Sequence, residues 1–187
     1  MDSTPELAAN HNPIKFYIVS LRKFLILFIG TFGLYSVYWF YKQWSEYKKS
    51  TDEDMWPIMR AIFSIFFIHS LFNRFEARYE HKTGSAPRTI KHLATIYIVT
   101  AIVSQVCNKL ADNQIGLPLT ALLSIAIVPV SCWVLYQAQS LSNYSGDDVL
   151  GRSNDELTAA NYCWLVLGAI FWGLILIGLG TLLFIPS

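Results

Sequence analysis

The chain has 187 residues, of which 53% are hydrophobic and only 14% charged, well below the roughly 25% charge of a soluble domain. That length allows one compact bundle, and a net charge of +1 provides no basic surface for nucleic acid. Its three cysteines, Cys107, Cys132 and Cys163, all lie in apolar runs without a CxxC, which leaves a disulfide framework or a zinc site without support.

Residues 1–13 are polar, contain Pro5 and Pro13, and read as a mobile segment. Residues 14–20 (IKFYIVS) are short and amphipathic. The first hydrophobic element covers residues 24–41, eighteen residues without a charge between Arg22-Lys23 and Lys42. As one helix it would reach about 27 Å, close to the hydrocarbon thickness of a bilayer. Its far end carries Tyr35, Tyr38, Trp39, Tyr41 and Trp44. Rings with an apolar body and a polar edge read as an aromatic belt at the headgroup level. The run is too long and too aromatic at its end for a cleaved signal peptide, and is expected to be a retained anchor. Lys42 and Glu46, four apart, extend the helix. Thr51-Asp52-Glu53-Asp54 then reads as a break and a new helix start, with Pro57 in its first turn.

Residues 57–75 predict a half-length apolar helix. Between Arg60 and Arg74 lie thirteen residues, about 20 Å of helix, short of a bilayer. If the segment is interfacial or re-entrant, both arginines snorkel to one surface; if it is a short span, they reach opposite surfaces. A charged helix follows and stops at residues 82–87 (KTGSAP). Residues 93–108 and 115–138 predict two spans. The second has Pro118 in its first turn and Pro129 in its interior, where a kink is expected. The loop 140–156 carries Asp147, Asp148, Asp155 and Glu156, and Ser153 and Glu156 have capping-box spacing before a last span at 162–185. The sum is an all-α integral membrane protein, one helical domain over 1–187, with four transmembrane helices plus one half-length interfacial or re-entrant helix. Five spans is the alternative.

Orientation follows from Arg74, Arg78, Lys82, Arg88 and Lys91, the densest basic stretch of the chain. Basic loops stay in the cytoplasm, and this one, 74–91, is the expected contact for anionic lipids. Three spans after it place the C-terminus on the opposite, periplasmic side. The N-terminus lies outside if residues 61–73 are interfacial and inside if they span.

The run Gly33-Leu34-Tyr35-Ser36-Val37-Tyr38-Trp39-Phe40-Tyr41-Lys42-Gln43-Trp44 resembles the GLYxxYWFYxxW signature that closes the first membrane helix in a family of uncharacterised small bacterial multipass membrane proteins. Ser20-Leu21-Arg22-Lys23-Phe24 and Trp56-Pro57-Ile58-Met59-Arg60-Ala61-Ile62-Phe63, with Ser70-Leu71-Phe72 behind, are similar too. The resemblance covers roughly residues 16–75. It implies a bacterial inner-membrane location and no particular activity.

Intramembrane ionisable residues are the usual markers of transport, and His69 is the single candidate. Gln105 and Asn108 on the third apolar segment could join it in a polar pocket, although interhelical hydrogen bonding is the commoner use of such amides. His81 and His92 have no recognised metal-ligand spacing, and no HExxH, GxSxG or phosphate-binding glycine loop occurs. No cofactor and no catalytic residue is expected. Two stripes of small residues do recur at helical spacing: Thr100, Ser104, Cys107 and Ala111, and then Ala169, Gly173 and Gly180. Such stripes let helix backbones approach in lipid. They are expected to pack the bundle, with a homo-oligomer seam as the alternative. The function that follows is non-enzymatic and works through helix packing, lipid contact or a membrane-protein partner. A small-solute carrier or channel subunit, built on His69, Gln105 and Asn108, is the alternative.

Overall fold

The computed structural model describes residues 14–51, 53–87 and 90–184. Residues 1–13, Asp52, Arg88 and the final residue of the span expected at 162–185 lie outside them. The elements are α1 (Leu21–Gly30), α2 (Tyr35–Lys49), α3 (Pro57–Ile62), α4 (Ser64–Thr83), α5 (Ile90–Asp112), α6 (Leu119–Ala126), α7 (Val128–Ser145) and α8 (Ala159–Phe184). There is no strand among the described residues.

Residues 24–41 do not form one helix. The chain breaks at 31–34, where Phe32 and Gly33 both adopt positive φ, 51° and 82°. Gly33 tolerates that conformation at little cost, and its N–H donates to the Phe28 carbonyl at 2.8 Å, closing the end of α1. The Thr31 hydroxyl serves both helices: it donates to Leu27 O at 2.7 Å and accepts from the Tyr35 N–H at 2.9 Å. After the turn α2 runs back along α1. The Phe24 ring meets Tyr35 and Trp39 at 6.0 and 6.3 Å, and Phe16 stacks on Tyr47 at 5.8 Å. The expected span is therefore a helical hairpin whose two ends lie together. Its aromatic residues are not a surface belt: Tyr35, Trp39 and Trp44 are completely buried in the protein, and Tyr38 and Tyr41 are half-buried.

Residues 57–75 also break, at Phe63, into α3 and α4. α3 lies against α2. Arg60 and Arg74, which bracket the apolar segment, both place their guanidinium groups on the Trp44 ring, at 4.5 and 5.3 Å from its centroid. The two ends of the segment thus converge on one side chain.

Among the described residues three helices are long and apolar enough to cross a membrane: His92–Asp112, Leu119–Ser145 and Ala159–Leu182. The first exceeds its expected bounds. The second is α6 and α7, interrupted only at Ile127, two residues before Pro129, where Ile127 itself keeps helical angles, φ −78° and ψ −26°. The third starts at Ala159, capped by Thr158 rather than by Ser153 and Glu156. Asn161 Oδ1 accepts from the Thr158 N–H at 2.9 Å, and the Asn161 N–H donates to Thr158 Oγ1 at 3.4 Å. α8 follows α1 as far as the hairpin turn: Lys23 reaches Glu156 O, Leu165 touches Gly30, and Trp172 donates to Ile29 O at 2.8 Å. From there α8 continues past the turn with its side chains largely uncovered.

Candidate functional site

One end of the molecule gathers the polar chemistry. The extended segment 14–20 crosses it, and its backbone groups have no ladder to join. Side chains of α2 and α7 take that role. The Gln43 amide binds Tyr17 at two points: Oε1 accepts from the Tyr17 N–H at 3.0 Å and Nε2 donates to the Tyr17 carbonyl at 3.1 Å. The Asn143 amide does the same two residues later, accepting from the Val19 N–H at 3.2 Å and donating to Val19 O at 2.8 Å. Primary amides carry a donor and an acceptor side by side, so each imitates the edge of a peptide. The two-residue spacing is that of alternate backbone groups along an extended chain.

Gln139 links the two clamps. It donates to Tyr17 O at 3.1 Å and to Asn143 Oδ1 at 2.6 Å, and accepts from Trp39 Nε1 at 2.5 Å. Gln43, Gln139, Ser142 and Asn143 have no exposed surface. Buried polar groups of this kind are tolerated because they are hydrogen-bonded. The loop after α7 closes the other side. Asn154 donates to Ile18 O at 2.9 Å, and Ser20 caps α1 while donating to Asp155 at 2.5 Å. Buried Lys23 donates to Asn154 Oδ1 at 2.6 Å and Glu156 O at 2.7 Å. Gly151, with φ 65°, passes so close that a Cβ there would lie 2.5 Å from Ser20 N.

Beside this network, Trp44 carries the two arginines already described. Arg74 donates to Glu53 at 2.7 Å, and the Tyr47 hydroxyl donates to the same carboxylate at 2.7 Å. The Tyr47 hydrogen bond, with Arg74, holds the Glu53 carboxyl below its ordinary value against partial burial.

Deeper, between the hairpin, α7 and α8, lies a cleft of about 470 Å³. Leu25, Phe28 and Ile29 line it from α1, Val128, Cys132 and Tyr136 from α7, and Trp172 from α8. The Trp172 N–H is occupied by the Ile29 carbonyl, so the cleft presents an apolar surface. Ile29 and Trp133 at its walls are about half exposed, at 56% and 49%. The cleft therefore opens to the outside of the bundle.

The residues expected to form a polar pocket do not meet. His69 is exposed and lies 3.2 Å from Thr95. Gln105, ten residues farther along the same helix, is about 15 Å away along its axis. Gln105 and Asn108 are both exposed, and none of the three lines the cavities described here. The first small-residue stripe faces inward: Thr100 and Cys107 are buried, Ser104 and Ala111 half-buried. Among the described residues the second has no close packing partner. Ala169 is exposed, and a Cβ added at Gly173 or Gly180 would meet nothing within 4 Å. The close crossing is one residue earlier on α8, at Gly168, where a Cβ would overlap the Gly30 carbonyl oxygen. Among the described residues no cluster of three His, Cys, Asp or Glu side chains could hold a metal.

The clamp residues escaped the sequence reading. Gln43 enters it only within the run 33–44, beyond the apolar segment 24–41, and Asn143 only within the loop 140–156. The available signal is spacing: Gln139, Ser142 and Asn143 step by three and one and so share one face at the polar end of α7. No family model, no curated protein and no solved structure matches the chain.

Proposed function

We propose that the chain is a multipass protein of the bacterial inner membrane that acts without catalysis, by holding lipid in the cleft between the α1–α2 hairpin, α7 and α8. Three spans, α5, α6–α7 and α8, cross the bilayer. The α1–α2 and α3–α4 hairpins enter from the cytoplasmic side and return to it. The observation that carries the reading is the cleft itself. It offers about 470 Å³ of apolar lining at the level of the spans, where an acyl chain is the available occupant. Charge supports the orientation. Among the fourteen Lys and Arg residues, Lys109 alone belongs to the α5–α6 end, a strong bias under the positive-inside rule. The bacterial location is supported by the resemblance over residues 16–75. The carrier reading loses its pocket, because His69, Gln105 and Asn108 stand apart.

The test uses the purified chain in lipid nanodiscs with a phospholipid carrying a diazirine in its acyl chain. Photolabel should concentrate on cleft peptides of α1 and α7, and Cys132→Trp, which fills the cleft, should reduce it severalfold. Label distributed evenly over the outer face of α8, and unchanged by Cys132→Trp, would overturn the proposal.

A further inference from the structure

A second cavity, of about 360 Å³, lies at the charged end, far from the cleft, where segment 14–18 meets α2, α4 and the end of α7. Its walls include Lys15, Glu46, Arg78, Ser145 and Asp147. Both acids already have partners. Glu46 binds Lys42 at 3.0 Å and Lys49 at 2.9 Å, and Asp147 binds Lys82 at 2.6 Å with its carboxylate 79% exposed. The basic groups do not. Among the described residues, the side chains of Lys15 and Arg78 make no hydrogen bond and no ion pair. Arg78 Nε is buried without an acceptor, and so is the hydroxyl of Ser145, a residue with no exposed surface.

A buried donor without an acceptor costs about 1–3 kcal/mol, and native proteins rarely leave one without a reason. Two such donors belong to residues that line one cavity together with Lys15, and the Asp147 carboxylate, although it feels the charge of Arg78, makes its hydrogen bond to Lys82 instead. The missing partner is an acceptor-rich anion. A guanidinium fork, an ammonium and a hydroxyl together match a tetrahedral oxyanion: arginine binds phosphate at two points and lysine as a point charge. We propose that this cavity binds a phosphate group through Arg78, Lys15 and Ser145. Of the basic loop, Arg74 is committed to Glu53 and Lys82 to Asp147, which leaves Arg78 as the available cation among these three. The phosphate can come from a phospholipid headgroup at the membrane surface or from a soluble phosphate. The site is separate from the acyl-chain cleft, so either proposal can fail alone.

The full chain is purified and assayed in two arms. In one it is placed in nanodiscs of phosphatidylcholine with or without phosphatidylglycerol, and retained lipid is measured by native mass spectrometry. In the other, inorganic phosphate is titrated against the detergent-solubilised protein and thermal stability is followed. Charge-assisted hydrogen bonds set the expected size: Arg78→Gln should weaken binding about tenfold or more, and Ser145→Ala about fivefold. Arg152→Gln, at the same end but outside the cavity, should leave binding unchanged. Ser145→Ala removes a hydroxyl that has no partner in the empty protein, so its stability without ligand should hold or rise while binding falls. That split separates a ligand role from a folding defect. Binding of phosphatidylglycerol alone identifies a headgroup site, and binding of inorganic phosphate as well identifies a general phosphate site. Binding of neither overturns the proposal, as does binding that Arg78→Gln and Ser145→Ala leave intact or that Arg152→Gln weakens equally.

Discussion

The first and last thirds of this chain are both rich in apolar side chains, yet they meet different surroundings. In α1 and α2, Phe24, Leu27, Tyr35, Trp39 and Trp44 are completely buried inside the protein. In α8, only 6% of the most apolar window is buried, and Val166, Ile170, Leu174 and Ile177 are all about 60% exposed or more. The difference is in the kind of apolar residue and in what interrupts it. The hairpins are built of rings that interlock edge to face and leave polar tips to be satisfied. α8 is mainly aliphatic, and its exposed side chains, Val166, Ile170, Leu174 and Ile177 among them, have no polar group to satisfy, the composition of a surface in contact with hydrocarbon. A hydrophobic run of span length therefore does not by itself identify a span. The question is whether its side chains need one another or need lipid.

The sharpest test of the contrast is topological. In a background lacking Cys107, Cys132 and Cys163, single cysteines are placed at Lys48, Lys82 and Asn113, and intact cells are treated with an impermeant thiol reagent. Lys48 and Lys82 should stay unlabelled until the membrane is opened, and Asn113, in the α5–α6 turn, should label at once. Labelling at Lys48 alone in intact cells would mean that residues 61–73 cross the membrane.

The next effect lies in the clamp. Asn143→Leu leaves the Val19 N–H and carbonyl buried without partners, at about 1–3 kcal/mol for each orphaned group. Thermal unfolding in detergent should show a large loss, whereas Asn108→Leu, on the exposed face of α5, should change little. Equal effects would mean that the segment 14–20 is held by something else.

A smaller effect separates two glycines of α8. Gly168→Ala should destabilise by about 1–3 kcal/mol, the usual cost of overpacking, because the new methyl overlaps the Gly30 backbone. Gly173→Ala enters open space and should be neutral or slightly stabilising. A loss at Gly173 that depends on protein concentration would identify that face as a seam between copies.

The smallest effect is electrostatic. The hydrogen bond from Lys82, with its charge, holds the exposed Asp147 carboxyl below its ordinary 3.8. A carboxylate with a lowered value contributes stability at neutral pH and loses it as the pH falls through that value. Asp147→Asn should therefore melt slightly earlier than the parent at neutral pH, and the gap should close as the pH falls below the ordinary carboxylate value. A gap that widens in acid would refute the pairing.

Much of the helical content and the three longer apolar helices could be read from the sequence, because length and an unbroken aliphatic pattern determine them. The hairpin at 31–34 could not be read from hydropathy. Its cause is a turn of four residues in which Thr31 caps two helices and Gly33 takes a positive φ. Both residues are common inside membrane helices. Arg60 and Arg74 were recognised as the ends of a segment too short to span, but not as partners of one tryptophan. The clamp depends on Gln43 meeting Ser142 across 99 residues of sequence and Asn143 meeting Val19 across 124, and periodicity within one helix carries no information about that.

The Asn143 clamp also bears on the order in which the chain assembles. Val19 and its amide partner are 124 residues apart, so the segment 14–20 leaves the ribosome long before α7 exists to receive it. Non-local contacts of this span can form only late. Until then the α1–α2 hairpin holds its own rings together but has no lock at its mouth. Closing that mouth joins an early-made segment to α7, whose Gln139 and Asn143 supply the fastening groups. A chain truncated before residue 143 would retain the hairpin sequence but lack the groups that fasten it.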